Sequence, residues 1–197
     1  SRCRGCVGFM RCLIAGSGSE IARELHVRLL NDGWEIGSSP GRSLTVAPGE
    51  WDLLILAHGQ LAPIDRFFEC DMSAWVGALM VNSVYPLSCL RAAWKNRNPG
   101  ATVVFLSGPN MARATPTYSA YRAGKAILEA LVGTLEAEYP EHKFRILRPG
   151  VVRTKIHEQT LAAGRKAANY ERVMKIVDGT EPTTGHDEVY MRLKALL

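Results

Sequence analysis

A tyrosine and a lysine four positions apart, Tyr121 and Lys125, are the residues of this sequence best suited to acid–base chemistry. In a helix, residues at this spacing lie one turn above each other on the same face. An ammonium held near a phenol favours the phenolate and lowers a pKa that is ~10 in a free tyrosine. We therefore predict that Tyr121 exchanges a proton with a carbonyl or alcohol oxygen near neutral pH. The alternative is a chance pair on a helix surface.

The hydrophobic runs predict a parallel sheet of about six strands, at 11–15, 34–37, 44–46, 52–57, 101–106 and 143–147. Helices are predicted over about 20–31, 72–95, 118–139, 158–176 and 186–197. Asn98-Pro99-Gly100 is typical of a turn. Strands that alternate with helices indicate an α/β fold, a Rossmann-type doubly wound parallel sheet with helices on both faces. No helix fits between the third and fourth runs, so the sheet is expected to be abbreviated there.

Composition and charge exclude several other classes of protein. The 197 residues, 47% of them hydrophobic and 22% charged, are ordinary for one soluble globular domain. No apolar run approaches the ~18 residues that cross a bilayer, so we expect no membrane segment. The net charge is +5, but the basic residues are scattered, which argues against nucleic-acid binding. Residues 1–9 match no secretory signal and are interpreted as a tag or N-terminal extension, which leaves 10–197 as a single domain.

The cysteines favour a cytoplasmic protein without a metal site. Cys3-x-x-Cys6 resembles half of a zinc site, but no second pair follows at zinc spacing. Cys12, Cys70 and Cys89 lie in apolar or helical surroundings and are typical of small buried hydrophobic residues. Together they indicate a reducing, cytoplasmic setting.

Two segments at predicted strand ends favour a nucleotide cofactor. The first strand runs into the glycine turn Gly16-Ser17-Gly18-Ser19-Glu20-Ile21-Ala22, which is followed by a helix. In this context the backbone can approach a pyrophosphate, and the N–H groups of the helix N-terminus can bind it, although a plain tight turn is the alternative. The second strand is followed by Ser38, Ser39 and Arg42 rather than by an acid, which favours a 2′-phosphate and hence NADP over NAD. Arg42 could equally be a solvated loop residue.

Two further segments could contact a ligand in the same cleft. Ala57-His58-Gly59 ends the fourth predicted strand, and its small residues would let a cofactor ring pass close to the backbone. His58 is either a ligand contact or a hydrogen-bonded loop residue. Asn82 lies inside the helix predicted over 72–95 between apolar residues, so we expect it to be buried and hydrogen-bonded.

These segments, in this order, resemble the short-chain dehydrogenase/reductase family over roughly residues 10–160. The resemblance rests on the glycine turn, Ala57-His58-Gly59, Asn82, Ser107, Tyr121-x-x-x-Lys125, and Pro149-Gly150-Val151-Val152-Arg153-Thr154. A competing frame pairs Tyr118 with Arg122. It is disfavoured because an arginine titrates too high to replace the lysine.

The resemblance implies an NAD(P)(H)-dependent oxidoreductase that interconverts a carbonyl and an alcohol by hydride transfer. The substrate would be a small molecule, covered by residues 155–180 with Thr160, Arg165 and Asn169, and the protein would be a homodimer or homotetramer. By resemblance, Tyr121 is the acid or base, Lys125 holds the nicotinamide ribose, and Ser107 binds the substrate oxygen. Asn82 would hold a water molecule of a proton relay. Val152 and Thr154 would contact the carboxamide of the nicotinamide.

The chain also departs from the family pattern. Glu20 and Ala22 replace two motif glycines. Ser107 lies one residue further from the tyrosine than is usual, so either the loop carries one extra residue or Gly108 stands at the position of the serine. Two other functions therefore stay open, a catalytically silent nicotinamide-nucleotide-binding regulatory protein and an isomerising enzyme that retains its nicotinamide.

Overall fold

The computed structural model describes residues 10–39, 49–108 and 111–197. Its sheet contains β1 (Arg11–Ala15), β2 (Glu35–Ser39), β3 (Trp51–Leu56), β4 (Arg97–Leu106) and β5 (Lys143–Leu147). All neighbouring pairs are parallel, in the order β2-β1-β3-β4-β5. The predicted α/β fold with a parallel sheet is therefore confirmed. The strand predicted at 44–46 lies outside the described residues.

Helices connect the strands and close the chain. They are α1 (Glu20–Asn31), α2 (Met72–Leu79), α3 (Tyr85–Ala93), α4 (Ser119–Glu138), α5 (Ile156–Ala163), α6 (Tyr170–Asp178) and α7 (His186–Lys194). A π-helical turn, Met80–Val84, joins α2 to α3, so the long helix predicted over 72–95 is present with a bulge at Asn82. The single helix predicted over 158–176 is wrong. Gly164, with a φ of 68°, ends α5, and α6 begins six residues later.

The sheet is buried on both faces because its strands alternate apolar side chains up and down. On one face, residues of β1 and β3 such as Ile14 and Leu53 pack with Leu25 and Leu29 of α1 and with Leu193 of α7. The opposite face uses the intervening positions, among them Leu13, Leu54, Leu56 and Phe105, and packs on α3 and α4 through Leu90 and Leu128. Each fully buried leucine contributes ~1.5–3 kcal/mol.

The first part of β4 differs from the sequence-based prediction. Asn98-Pro99-Gly100, predicted as a turn, lies within the strand. Trp51 pairs with Arg97 and Leu53 with Thr102, so the register shifts between the two pairs. Gly100 accommodates the irregularity with a φ of 75°. The turn residues form a bulge here because the residues on both sides of them pair with β3.

An 18-residue window of the helical run Met72–Asn96 has a mean hydropathy of 1.2, so the run is, by length and composition alone, apolar enough to cross a membrane. A buried core helix of an α/β protein can have the same length and apolar composition. Cys89, Leu90 and Ala93 of this run are buried against the sheet, with Phe105 of β4 in the same apolar cluster. We therefore interpret the α3 part of this run as a core helix.

Candidate active site

A cleft of about 1080 Å³ lies beyond the carboxyl ends of the parallel strands, where ligands bind in open α/β sheets. It is lined by most of the predicted site residues: Gly16, Gly18, Ser19, Glu20, Ile21, Ala57, His58, Gly59, Ser107, Tyr121, Lys125, Pro149, Gly150, Val152 and Thr154. Four other predicted residues of the described part are not among the lining residues: Ser17, Ser38, Ser39 and Asn82. Arg42 lies outside the described residues. The fold thus brings segments distant in sequence to one cleft.

Lys125 is held at the floor of the cleft by the ends of two strands. Its Nζ donates to the carbonyl oxygen of His58 at 2.6 Å and to that of Leu106 at 2.7 Å. The side chain is almost fully buried, and burial lowers its pKa to about 7. An ammonium has three N–H donors. Two are used by the carbonyls, so within the described part of the chain the third remains for a ligand in the cleft.

Tyr121 lies in the cleft on the same helix face. Lys125 Nζ is 6.0 Å from the centroid of its ring. Burial raises the pKa of Tyr121 to about 12, with a smaller rise from Glu129 and an opposing effect of Arg122. The predicted lowering of the Tyr121 pKa by Lys125 is therefore wrong for the protein without ligand. Lys125 bonds to backbone carbonyls and not to the phenol. Tyr121 is a protonated hydroxyl near neutral pH and can donate that proton.

Ser107 does not present its hydroxyl to Tyr121. Its Oγ donates to Glu129 Oε1 at 2.6 Å, and the other carboxylate oxygen of Glu129 accepts from Arg148 at 2.9 Å. The next residue, Gly108, is the one that faces the phenol, since a Cβ built on it would lie 3.1 Å from Tyr121 Oη. Of the two alternatives for the serine position, the geometry favours Gly108, and it does not support the role predicted for Ser107.

Asn82 fixes the loop that follows β3. Its Oδ1 accepts from Gln60 N at 3.0 Å, and its Nδ2 donates to Gln60 O at 2.8 Å and to Ala78 O at 2.9 Å. Gly124 of α4 packs directly on it, because an added Cβ would lie 2.5 Å from Asn82 Cβ. The expected burial and hydrogen bonding of Asn82 are confirmed. In this structure it acts as a positioning residue.

The glycine turn follows β1 closely. Gly16 has a φ of 77°, and a Cβ there would lie 2.9 Å from the backbone nitrogen of His58, so only glycine fits. Ser17 N and Oγ both donate to Ser39 O, at 3.4 and 3.1 Å, which ties the turn to the end of β2. Ser19, the N-cap of α1, makes no side-chain capping bond within the described residues. The first N–H groups of α1 can therefore bind an anion.

His58 is the one cleft residue with an unsatisfied buried side chain among the described residues. It is 5% exposed, and neither ring nitrogen has a hydrogen-bond partner there. Burial, and then the charge of Lys125, lower its pKa to about 4, so the ring is neutral at neutral pH. Buried polar groups normally have partners. A polar ligand in the cleft would supply one.

The wall of the cleft opposite the sheet comes from residues that sequence analysis largely missed. Tyr118 Oη and Thr160 Oγ1 are 2.9 Å apart. Gln159 Oε1 accepts from the backbone nitrogens of Leu61 and Ala62, both at 2.9 Å. No local pattern could have indicated Gln159, since its partners are almost a hundred residues away in sequence. The sequence suggests Tyr118 only as the partner of Arg122.

Two of the three residues singled out in the segment 155–180, which is predicted to cover the substrate, lie at the cleft. Thr160 and Asn169 line the cleft, whereas Arg165 lies 3.8 Å from Glu171 in an exposed ion pair. The carboxylate of Glu20, at the start of α1, accepts a hydrogen bond from the backbone nitrogen of Lys155. This bond joins the glycine turn to the segment after β5 across the mouth of the cleft.

Comparison with known proteins identifies the family. The family profile described as enoyl-(acyl carrier protein) reductase matches residues 43–182, which is more than half of the chain. The chain belongs to the short-chain dehydrogenase/reductase family. The resemblance found in the sequence is therefore confirmed.

Individual relatives agree with this assignment. An uncharacterized oxidoreductase of Schizosaccharomyces pombe is 29% identical over 129 residues, which are 65% of this chain and 52% of that protein. The chain thus spans about half the length of this curated relative. The structure of a short chain dehydrogenase family protein from Francisella tularensis has a TM-score of 0.78 at 16% identity, covering 96% of this chain and 91% of that one. A small-chain dehydrogenase in complex with NADPH gives the same four values. These low identities show the fold.

Members of this family typically bind NAD or NADP, and the residues present fit such a cofactor. The N-terminus of α1 and the close backbone approach at Gly16 suit a pyrophosphate. The third N–H of Lys125 and the unpartnered ring of His58 suit the hydroxyl groups of a ribose. A nicotinamide dinucleotide would therefore be held along the carboxyl edge of the sheet.

Proposed function

We propose that this protein is an NAD(P)H-dependent carbonyl reductase in which Tyr121 gives a proton to the substrate oxygen. The observation that carries this proposal is the position of Tyr121 Oη in the cleft, beside the bare backbone of Gly108 and one helical turn from Lys125. A protonated phenol at that place can donate to a carbonyl oxygen. The substrate is a small carbonyl compound, and the reverse reaction would oxidise the corresponding alcohol.

The reaction needs a hydride on the carbonyl carbon and a proton on the oxygen. A bound nicotinamide supplies the hydride. Tyr121 supplies the proton, since its raised pKa keeps it protonated. The phenolate that remains is stabilised by the charge of Arg122, which acts to lower the pKa of Tyr121. Lys125 orients the ribose through its third N–H.

NADP is the preferred cofactor in this proposal. Ser38 and Ser39 are the last residues of β2, and the sequence continues to Arg42 without an acidic residue that would repel a 2′-phosphate. The NADPH complex of a solved structure with the same fold supports the same choice.

A homodimer or homotetramer is also part of the proposal. Met72 and Val76 of α2 and Ile127 of α4 are 54%, 46% and 38% exposed, although α4 already packs on the sheet and α2 packs on α4. Apolar side chains grouped on the outer faces of two adjacent helices favour contact with a second copy. Light scattering tests it, and a monomer at micromolar concentration would refute it.

Substitution of Tyr121 by phenylalanine tests the proposed function. Tyr121→Phe removes the donor hydroxyl, so oxidation of NADPH by a panel of aldehydes and ketones should fall to background while NADPH still binds. Tyr139→Phe removes a hydroxyl at the other end of α4 and should leave turnover unchanged. Turnover by Tyr121→Phe at the wild-type rate would refute the assignment of Tyr121.

The rival is a catalytically silent protein that binds a nicotinamide nucleotide and regulates a partner. It is favoured by the bond from Ser107 to Glu129, which leaves no serine hydroxyl at Tyr121. Nucleotide binding without reduction of any carbonyl compound in the panel would support this rival against the reductase.

A further inference from the structure

The carboxylate of Glu20 lies where two helices begin. Glu20 is the first residue of α1, and its Oε2 accepts a hydrogen bond from the backbone nitrogen of Lys155, the N-cap of α5. The two residues are 135 positions apart in sequence. The bond therefore connects two elements that no local pattern brings together, the helix that follows β1 and the helix that follows β5.

This position favours a negative charge. The N-terminus of an α-helix has N–H groups without helical partners and carries the positive end of the helix dipole. Ser19 and Lys155, the N-caps of α1 and α5, make no side-chain capping bond within the described part of the chain. The carboxylate of Glu20 is therefore an anion that the chain itself supplies to the starts of these two helices.

The pyrophosphate of a dinucleotide would bind at the same place. Gly16, Gly18 and Ser19 line the cleft together with Glu20 and Lys155. A dinucleotide along the carboxyl edge of the sheet has its phosphates at the N-terminus of α1. There the phosphates meet a carboxylate of the same sign, which is bonded across the mouth of the cleft. Because like charges repel each other, the bond and the pyrophosphate exclude each other.

We propose that Glu20 is a built-in competitor of the cofactor pyrophosphate, and that its bond to Lys155 opens when a nicotinamide dinucleotide binds. This inference rests on the cofactor binding of the proposed function and not on turnover. A ligand that binds only the open form has an affinity reduced by the fraction of molecules that are open. A glycine, which the family motif has at this position, carries no carboxylate. Glu20 therefore sets the affinity for the dinucleotide.

Substitution of Glu20 tests the inference through the affinity for NADPH, measured by nucleotide fluorescence. Glu20→Ala removes the carboxylate and its bond, so NADPH should bind at least about tenfold more tightly, as expected for a bond closed in about nine-tenths of the wild-type molecules. Glu20→Gln removes the charge and keeps an acceptor, so it should give a smaller gain. The matched control is Glu24→Gln, which removes the same charge one turn further along α1, outside the lining of the cleft. It should bind NADPH like the wild type.

A nucleotide without a pyrophosphate distinguishes displacement of Glu20 from a general change of the cleft. Adenosine 2′-phosphate carries the adenine, ribose and 2′-phosphate of NADPH but no pyrophosphate. Its affinity, measured by calorimetry, should differ by less than about twofold between the wild type and Glu20→Ala, since its contacts lie apart from the carboxylate. An equal gain for both nucleotides, or no gain for NADPH, would overturn the inference.

Amide hydrogen exchange, measured by NMR on the protein without nucleotide, tests the bond itself. The backbone N–H of Lys155 should exchange at least about tenfold faster in Glu20→Ala than in the wild type, because it loses its acceptor. The N–H of Thr184, which donates to Val151 O at 2.7 Å, should exchange equally in both proteins. Equal exchange at Lys155 would overturn the inference.

Failure of the inference and failure of the proposed function give different results. If the wild-type protein binds NADPH and Glu20→Ala gains no affinity, the inference falls and the reductase stands. If both proteins bind NADPH with the expected difference but neither reduces a carbonyl compound, the inference stands and the reductase falls. If neither protein binds NADPH, both fall.

Discussion

Ser107 at the end of β4 and Glu129 in the middle of α4 are joined by a hydrogen bond of 2.6 Å from the serine hydroxyl to the carboxylate. Arg148, which follows β5, holds the other oxygen of that carboxylate at 2.9 Å. The serine is therefore part of a contact that ties two strand ends to α4, and its hydrogen is not directed at Tyr121.

Ser107→Ala should accordingly retain most of the carbonyl reductase activity. We expect kcat to fall by no more than about threefold, whereas loss of a donor to the substrate oxygen typically costs ~10²–10³. Steady-state kinetics with NADPH and one ketone make this measurement. A fall of a hundredfold would show that Ser107 turns toward the substrate during the reaction. Thr134→Ala, at an exposed position of α4, is the control for a lost surface hydroxyl.

The buried Lys125 should make the free protein more stable in mild alkali. Its pKa is lowered from 10.5 to about 7 by burial, so the unfolded chain binds one more proton than the folded chain between these values. The free energy of unfolding therefore rises as the pH increases from about 7 to 10.5, and this gain disappears as the pH falls back toward 7. Above the usual tyrosine pKa of 10.0 the raised pKa of Tyr121, about 12, acts in the opposite direction.

We expect Tm of the wild-type protein to rise between pH 7 and pH 10 by more than that of Lys125→Met, measured by differential scanning calorimetry. Lys95→Met, at an exposed position, should keep the wild-type slope. Equal slopes for wild type and Lys125→Met would contradict the lowered pKa of Lys125.

Asn82→Ala should destabilise the fold and loosen the loop after β3. It removes three hydrogen bonds, two of them to the backbone of Gln60. We expect a loss of about 2–3 kcal/mol in the free energy of unfolding, measured by urea denaturation. Arg91→Ala, on the exposed side of α3, should change it by less than about 0.5 kcal/mol. A loss for Asn82→Ala as small as that of the control would show that the loop is held by other contacts.

NADPH should raise Tm more than NADH at equal concentration. Only a ligand that prefers the folded state stabilises it, and the shift grows with its affinity. Arg42→Ala should reduce the NADPH shift toward the NADH value and leave the NADH shift unchanged. Arg23→Ala, an exposed position in α1, is the control. A larger shift with NADH than with NADPH would reverse the proposed cofactor preference.

Much of the fold could be predicted because its signals are local. β1, β3 and the second half of β4 are short runs of mainly apolar residues buried on both faces. The spacing of Tyr121 and Lys125 places these two residues on one helix face without any tertiary information. Predictions failed where distant contacts decide the outcome. Residues 98–100 joined β4 because both flanks pair with β3, and the helix predicted over 158–176 ended at Gly164.

The sequence by itself therefore determined the family, the order of the elements and the segments that meet at the carboxyl edge of the sheet. Only the tertiary structure decided what those side chains do there. It bonds Lys125 to the carbonyls of His58 and Leu106, turns Ser107 to Glu129 and sets Gly108 against Tyr121. The physical reason is that hydrogen-bond partners and burial, which set pKa values and open space, come from residues far apart in sequence, and no local pattern records them.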